Sequence, residues 1–354
     1  MKEVVKLFKL IKNEYVKLLS RRTSQLLLLL LLLAAIGLAF FFHLPFIQSD
    51  TSYETVALSS EETPPEEPSP EQILHERTES ARTEYESLLQ QEKNGTPVDQ
   101  AALDNARDAL LEAQYIEDHQ LTDSLTYDRD YGYAVTDSRL ILTLINSPML
   151  VTLTALVMIV FAGGIIANES SQGTIKFLLI NPVRRGKILW SKFLCCLSLL
   201  AFLLFFLFGL EVLLLGISYG FSGYAGEYVH AAEGVVTGTP ILLYGFQQFM
   251  LSAVNPLLMM TMAFAISSLF RSSALSIALG LGGLLGGSMI TSILAELGVD
   301  WGRYLVFSNT GLASIAQGSP PFVGQTLTFA VIVLAVYMAV FLLIAYDGFT
   351  RREV

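Results

Sequence analysis

An all-α polytopic membrane protein is the fold class this sequence predicts, and three observations carry the prediction. The first is composition: 53% of the 354 residues are hydrophobic and the mean hydropathy is +0.53, more apolar than a soluble domain of this length. The second is grouping. The apolar residues gather into six runs, Gln25–Ile47, Leu140–Ala167, Leu189–Gly216, Phe246–Phe270, Ala274–Ala295 and Gln325–Tyr346. Each matches the roughly 20 residues that a helix needs to cross a bilayer. The third is charge. Residues 48–138 hold 22 acidic and 5 basic side chains, a net of −17, so the formal charge of −10 leaves +7 on the rest of the chain.

That segregation orients the chain, because Lys and Arg close to span ends favour the cytoplasmic side. Residues 1–24 carry Lys2, Lys6, Lys9, Lys12, Lys17, Arg21 and Arg22. The loop after the second span carries Lys176, Arg184, Arg185, Lys187 and Lys192; Arg271 links spans four and five; Arg351 and Arg352 close the chain. All four regions fall on one side of a six-span arrangement. Both termini are therefore expected in the cytoplasm and the acidic region outside, with Arg139 and Arg303 running against the trend. The expected division is a cytoplasmic amphipathic helix over 1–24, a first transmembrane helix over 25–47, an extracellular acidic linker and helical hairpin over 48–138, and spans two to six over 139–354 with a cytoplasmic loop at 168–188.

Over residues 1–20, Val4, Phe8, Ile11, Tyr15 and Leu18 recur at helical spacing opposite Lys2, Lys6, Lys9, Asn13 and Lys17. A basic amphipathic helix of this kind lies in the headgroup plane. Anchoring span one is its simplest role. The first apolar run has a charged flank of about 24 residues and exceeds a cleavable signal core, so an uncleaved anchor is expected. Cys195 and Cys196 are adjacent inside a span and define no disulfide framework.

The proline- and glutamate-rich stretch "SSEETPPEEPSPEQIL" reads as an extended linker. Ser69, Pro70 and Gln72 then form a helix start: N-cap, first helical position and capping-box partner. A helix to about Gln91, the turn "EKNGTP", and a second helix from about Val98 to His119 with the stripe Leu103, Ala106, Leu110 and Ala113 predict an antiparallel hairpin. Two roles are open to it, a cap facing cargo or a partner, and an acidic spacer. Tyr224 and Tyr228, in the outer loop 219–245, have the character of belt aromatics. In span five, Gly282 with Gly286 and Gly283 with Gly287 have the spacing that lets helices approach closely.

Chemistry-bearing motifs are few. No G-x-x-x-x-G-K-[ST] sequence is present to cradle nucleotide phosphates, and His43, His75, His119 and His230 lack metal-ligand spacing. No hydrolase signature occurs, so no catalytic residue, metal site or resident cofactor is expected. Glu211 lies in the apolar run "FLFGLEVLLLG", where a carboxylate costs a few kcal/mol. It either lines a cargo path or carries a proton, or else it is neutral or hydrogen-bonded to a neighbouring helix. Asn146–Pro148 and Asn255–Pro256 lie near the outer ends of their spans and are expected to bend them; Asn255 is the second candidate for the path.

The most organised segment is the loop at 168–188. Glu169 precedes Gly173 and Thr174, and Ile175, Lys176, Phe177, Leu178 and Leu179 follow as part of an apolar run of two helical turns. Pro182 ends the run, since the residue before proline avoids the helical region. Arg184 and Arg185 then sit at the headgroups. This reads as a short surface helix suited to a groove on a soluble partner. The pattern E-x-x-x-G-T-I-K-x-L-L-x-x-P-V-x-R-x-x-I-L-x-x-K, filled here from Glu169 to Lys192, resembles the cytoplasmic loop of ABC-2 type permeases, the membrane subunits of one class of ATP-binding-cassette exporters. "AISSLFRSSALSIALG" resembles that family's turn between spans four and five, "FTRREV" its tail, and the amphipathic start its connecting helix. The outer region, Asp50–Tyr133, departs from it and leaves the cargo open.

The resemblance implies a coupling role for Glu169, Gly173, Thr174, Ile175, Lys176, Phe177, Leu178, Leu179, Pro182, Arg184 and Arg185. A separate ATPase subunit would dock on them and supply ATP and Mg. It also implies a second permease subunit, identical or homologous, and residence in a bacterial cytoplasmic membrane; no nucleic-acid partner is expected. An ion-coupled carrier working through Glu211, and a membrane scaffold or sensor binding an extracellular partner, are the other readings. The first would show an internal repeat, and none is visible. The second leaves the loop unexplained.

Overall fold

The computed structural model describes residues 2–41, 69–95, 99–121, 124–128, 133–136, 138–171, 185–232 and 234–351. The chain is mostly helical. Among the described residues, six helical stretches are long and apolar enough to cross a membrane: Arg22–Phe40, Arg139–Glu169, Arg185–Tyr219, Ile241–Phe270, Ser273–Glu296 and Leu327–Thr350. They agree with the six runs of the sequence to within a few residues at most ends. The third begins four residues earlier than expected, and residues 42–47 of the first lie outside the described residues. The chain forms two compact units, Met1–Gly37 with Ser147–Glu211 and Gln247–Val354, and Leu38–Asn146 with Val212–Phe246.

The first unit contains α1 (Lys2–Leu19), most of α2 (Arg22–Phe41), α6 (Pro148–Ser171) and most of α7 (Arg185–Tyr219). It also holds the end of α8 (Ile241–Ser252), then α9 (Val254–Phe270), α10 (Ser273–Glu296), α11 (Leu312–Ala316) and α12 (Leu327–Thr350). Its centre is α9, packed against α6, α10 and α12, and small residues make that packing close. Ser267 of α9 donates to the Gly163 carbonyl at 2.8 Å and accepts from the Ala167 amide at 3.2 Å. Both groups belong to α6. Ser268 donates to the Ala345 carbonyl of α12 at 2.7 Å. A methyl group on Gly280 would lie 2.6 Å from Ile159 Cγ2, so α10 meets α6 at a distance only glycine allows. Of the two glycine pairs in α10, Gly283 and Gly287 face the Phe307 ring, whereas Gly282 and Gly286 face open space.

Proline accounts for one break. Pro256 has no N–H, so the helical run that starts at Ile241 loses a hydrogen bond there and divides into α8 and α9 at Ala253.

The second unit holds α3 (Pro70–Lys93), α4 (Gln100–Asp118) and α5 (Arg139–Asn146). α3 starts as the sequence predicts. Ser69 Oγ accepts from the Gln72 amide, Gln72 Oε1 accepts from the Ser69 amide, and Pro70 opens the helix. His75 pairs with Glu117 at 2.9 Å, and Thr78 donates to the Ala113 carbonyl at 3.3 Å. Pairing partners descend on α4 as they ascend on α3, so the two helices are antiparallel. Leu103, Ala106, Ala113 and Ile116 of α4 are buried.

The all-helical expectation needs an addition in this unit. β1 (Ser124–Asp128), β2 (Tyr133–Val135), β3 (Glu227–Ala232) and β4 (Val235–Pro240) form a four-stranded sheet in the order β2-β1-β3-β4. β1 runs parallel to β3, and the outer pairs are antiparallel. Gly234, with φ of +80°, makes the turn between β3 and β4, a conformation that glycine adopts without cost. α4 lies against β3: Glu112 accepts from the Ala231 amide at 2.7 Å, and Tyr115 donates to Glu227 at 3.2 Å.

Candidate functional site

Glu169 stands in the last turn of α6, and Lys192 lies two turns into α7. The connecting loop runs between them. Gly173, Thr174, Ile175, Lys176, Phe177, Leu178, Leu179, Pro182 and Arg184 lie outside the described residues. The residues flanking them converge with α1 on one cluster. Lys192 Nζ is 2.7 Å from Glu14 Oε2 and 2.8 Å from Glu169 Oε2. Lys17 Nζ is 2.9 Å from Glu169 Oε1 and 3.5 Å from Glu14 Oε1. Each carboxylate thus meets both ammonium groups, and the four charges cancel.

The geometry follows from spacing. Glu14 and Lys17 are three apart on α1, so both project from one face, which Leu18 helps to bury. Lys192 is only 1% exposed, and a charge so enclosed is tolerable only when paired. Burial lowers the affinity of Lys17 for its proton, but the hydrogen bond to Glu169 and the charge of Glu14 outweigh it. The ammonium is held above its ordinary range. Tyr15, next to Glu14, hydrogen-bonds to Ser198 at 2.7 Å and gives α1 a second hold on α7.

Arg185 is the first residue of α7. Beside it, a methyl group on Gly186 would lie 3.1 Å from the Tyr346 ring of α12. The far end of the loop is therefore held by α1 on one side and α12 on another.

Glu211 and Asn255 are not joined to this cluster or to each other by a hydrogen bond. Glu211 is 0% exposed, and neither of its carboxylate oxygens has a hydrogen-bond partner among the described residues. Asn255 Oδ1 and Gln248 Oε1 are unpartnered in the same sense. One turn before Glu211, Phe208 of α7 packs on Phe249 of α8 with ring centroids 5.3 Å apart.

Sequence reading picked out Glu169 and the loop, but not the pairing of Glu169 with Lys17 of α1 and Lys192 of α7, nor Glu14 as the fourth charge. Glu14 is, with Glu3, one of two acids on a mainly basic helix, and Lys192 lies inside a span; a charge of each sign against its local trend was the available signal.

The family described as "Protein of unknown function (DUF2705)" matches residues 124–354. "Uncharacterized protein YhcI" of Bacillus subtilis (strain 168) is 32% identical over 250 residues, covering 70% of this chain and 77% of that protein. "Uncharacterized membrane protein YdbK" of the same organism is 30% identical over 222 residues, covering 62% of this chain and 86% of that protein.

Proposed function

Given that this chain belongs to the DUF2705 family, we propose that it is the permease subunit of an ATP-binding-cassette transporter of the ABC-2 type, an exporter by preference. Two such subunits, identical or homologous, would enclose the cargo path. ATP and Mg would be bound and ATP hydrolysed by separate ATPase subunits docking on the loop at 168–188. In this reading α1 is the interfacial connecting helix, α3 and α4 form an extracellular hairpin, and both termini are cytoplasmic.

The observation that carries the proposal is the four-charge cluster. A loop that only joins two spans has no need of a buried acid at one end, a buried base at the other, and a third helix locking them together. A loop that receives force does need it. Movement imposed on the segment 172–184 is delivered to α6, α7 and α1 together, because Glu169 and Lys192 share partners on α1. The thermodynamic requirement is that the two arrangements of the spans differ in affinity for nucleotide-bound ATPase and for cargo.

Gentle detergent purification from native membranes, followed by mass spectrometry, tests this. A stoichiometric ATPase subunit is expected, and it should be lost when the Glu169–Lys187 loop is altered. A chain that purifies without one, under conditions that keep other such complexes intact, overturns the reading. An ion-coupled carrier is the second reading, and the unpartnered carboxylate of Glu211 is what favours it. In the permease reading, Glu211 and Asn255 line the path instead.

The acidic character of residues 48–138 suits cationic cargo drawn in by its long-range field. Neutralising the glutamates of α3 should abolish resistance to basic peptides. Unchanged resistance rejects that cargo class without touching the permease reading.

A further inference from the structure

A groove of about 540 Å3 lies between α1 and the first half of α7. Phe8, Ile11, Lys12 and Tyr15 line it from one side, and Leu194 and Ser198 from the other. Its two hydroxyl groups are already engaged: Tyr15 and Ser198 bond to each other at 2.7 Å, and Ser198 also reaches the Leu194 carbonyl at 2.6 Å. The wall is therefore apolar in effect. Lys12, exposed at its mouth, brings the single charge. Lys17 and Lys192 are fully paired, whereas Lys12 makes no ion pair or hydrogen bond among the described residues.

The depth of the groove follows from α7. That helix has 35 residues, about 52 Å at 1.5 Å per residue, against a hydrocarbon thickness of about 30 Å. Trp190 is 42% exposed, one turn before Leu194, and Phe202 is 61% exposed, one turn after Ser198. Exposed tryptophan marks the headgroup level, and exposed phenylalanine beyond it marks the acyl chains. The groove spans the level between them, where the glycerol and first methylenes of a phospholipid lie.

We propose that this groove holds one anionic phospholipid, with an acyl chain along Ile11, Tyr15 and Leu194 and the phosphate paired with Lys12. An apolar trough with one unpaired ammonium at its mouth complements a chain with one net negative charge at its head. A zwitterionic lipid offers the same phosphate with its charge already offset. A second copy of the protein is a poorer occupant, since a two-fold contact on this face would bring Lys9 and Lys12 of both copies together. The site stands independently of the transport reading.

Trp190 provides the measurement. The chain has two tryptophans, so Trp301→Phe leaves Trp190 as the sole reporter, one helical turn from Leu194. The full-length variant is placed in phosphatidylcholine vesicles that contain increasing fractions of either brominated phosphatidylglycerol or brominated phosphatidylcholine. Brominated phosphatidylglycerol should quench Trp190 at about a fivefold lower mole fraction, the size of one lysine–lipid interaction. Lys12→Gln should bring that ratio to about one, and Lys12→Arg should restore it. Lys9→Gln, on the same helix but outside the groove, should leave most of it. Both lysines are exposed and make no ion pair or hydrogen bond among the described residues, so neither change threatens the fold. Equal quenching by the two lipids in the parent means annular lipid only and overturns the proposal. So does an equal loss in Lys9→Gln and Lys12→Gln, which would show general surface charge. Quenching that follows protein density instead of lipid composition would put a second copy in the groove and overturn it as well.

Discussion

Lys192 Nζ lies 2.8 Å from Glu169 Oε2, so the two ends of one loop are joined by their own charges across the segment that connects them. Neither residue is paired only with the other. Both also hold α1, through Glu14 and Lys17. The consequence is mechanical: α1, α6 and α7 move together or the cluster breaks.

Lys192→Met should therefore be costly. It removes the ammonium that lies within 2.8 Å of both Glu14 and Glu169, and breaking a buried pair from one side costs about 3–5 kcal/mol. Thermal unfolding in detergent should show a large fall in midpoint. Adding Glu14→Gln to Lys192→Met should recover part of it. A single variant as stable as the parent would show that the cluster does not hold these helices.

Close packing makes a second prediction. Gly280→Ala puts a methyl group 2.6 Å from Ile159 Cγ2, and overpacking of this kind costs about 1–3 kcal/mol. Gly282→Ala, two residues on and facing open space, should be neutral or slightly stabilising, because alanine is the better helix former. Ile159→Ala should relieve the first variant. Equal effects at the two glycines would contradict the assigned α6–α10 contact.

The His75–Glu117 pair predicts a pH dependence. The carboxylate of Glu117 accepts from the imidazole at 2.9 Å and holds His75 above its ordinary range. Glu117 is held below its own, by Thr78 first and His75 second. Because the folded value of His75 is raised, its contribution to α3–α4 docking is complete below the unfolded value, about 6.5, and disappears as pH rises through the folded value. On the acid side, the contribution of Glu117 is lost as pH falls through its depressed value. A ring-proton NMR titration of His75 should give a midpoint above 6.5, moving down in Glu117→Gln. A midpoint unmoved by that substitution would remove the pair as the cause.

Glu211→Gln keeps the shape of the side chain and removes its charge. No hydrogen-bond partner among the described residues is lost, so the variant should insert and fold as the parent does. Transport should fall if the carboxylate touches cargo or carries a proton. Full transport by Glu211→Gln and Glu211→Leu alike would make this acid a passenger.

Much of this was legible in the sequence because it is written locally. The six spans follow from uninterrupted apolar length, and the start of α3 from Ser69, Pro70 and Gln72, three residues within four positions. The antiparallel helices follow from a stripe on α4. The sheet was not legible. β3 and β4 are short, and β1 pairs with β3 from about 100 residues away, a pairing that no local pattern encodes. The charge cluster was half legible. Glu169 stood out in the loop, but its partners come from α1 and from inside α7. On α1, Glu14 looks like a blemish on a basic surface until the helices are brought together. Glu211 was visible as an acid in an apolar run; that it has no bonding partner among the described residues is a property of the packing.

The central claim is that the loop between α6 and α7 receives an ATPase subunit, and site-specific photocross-linking tests it most directly. A photoreactive phenylalanine analogue in place of Phe177, illuminated in intact cells, should yield one principal adduct, and mass spectrometry should identify an ATP-binding-cassette ATPase subunit in it. The adduct should weaken in the Lys192→Met background, where the base of the loop is released. An insertion-competent protein whose Phe177 position cross-links to lipid or to unrelated proteins, and never to such an ATPase, would contradict the account.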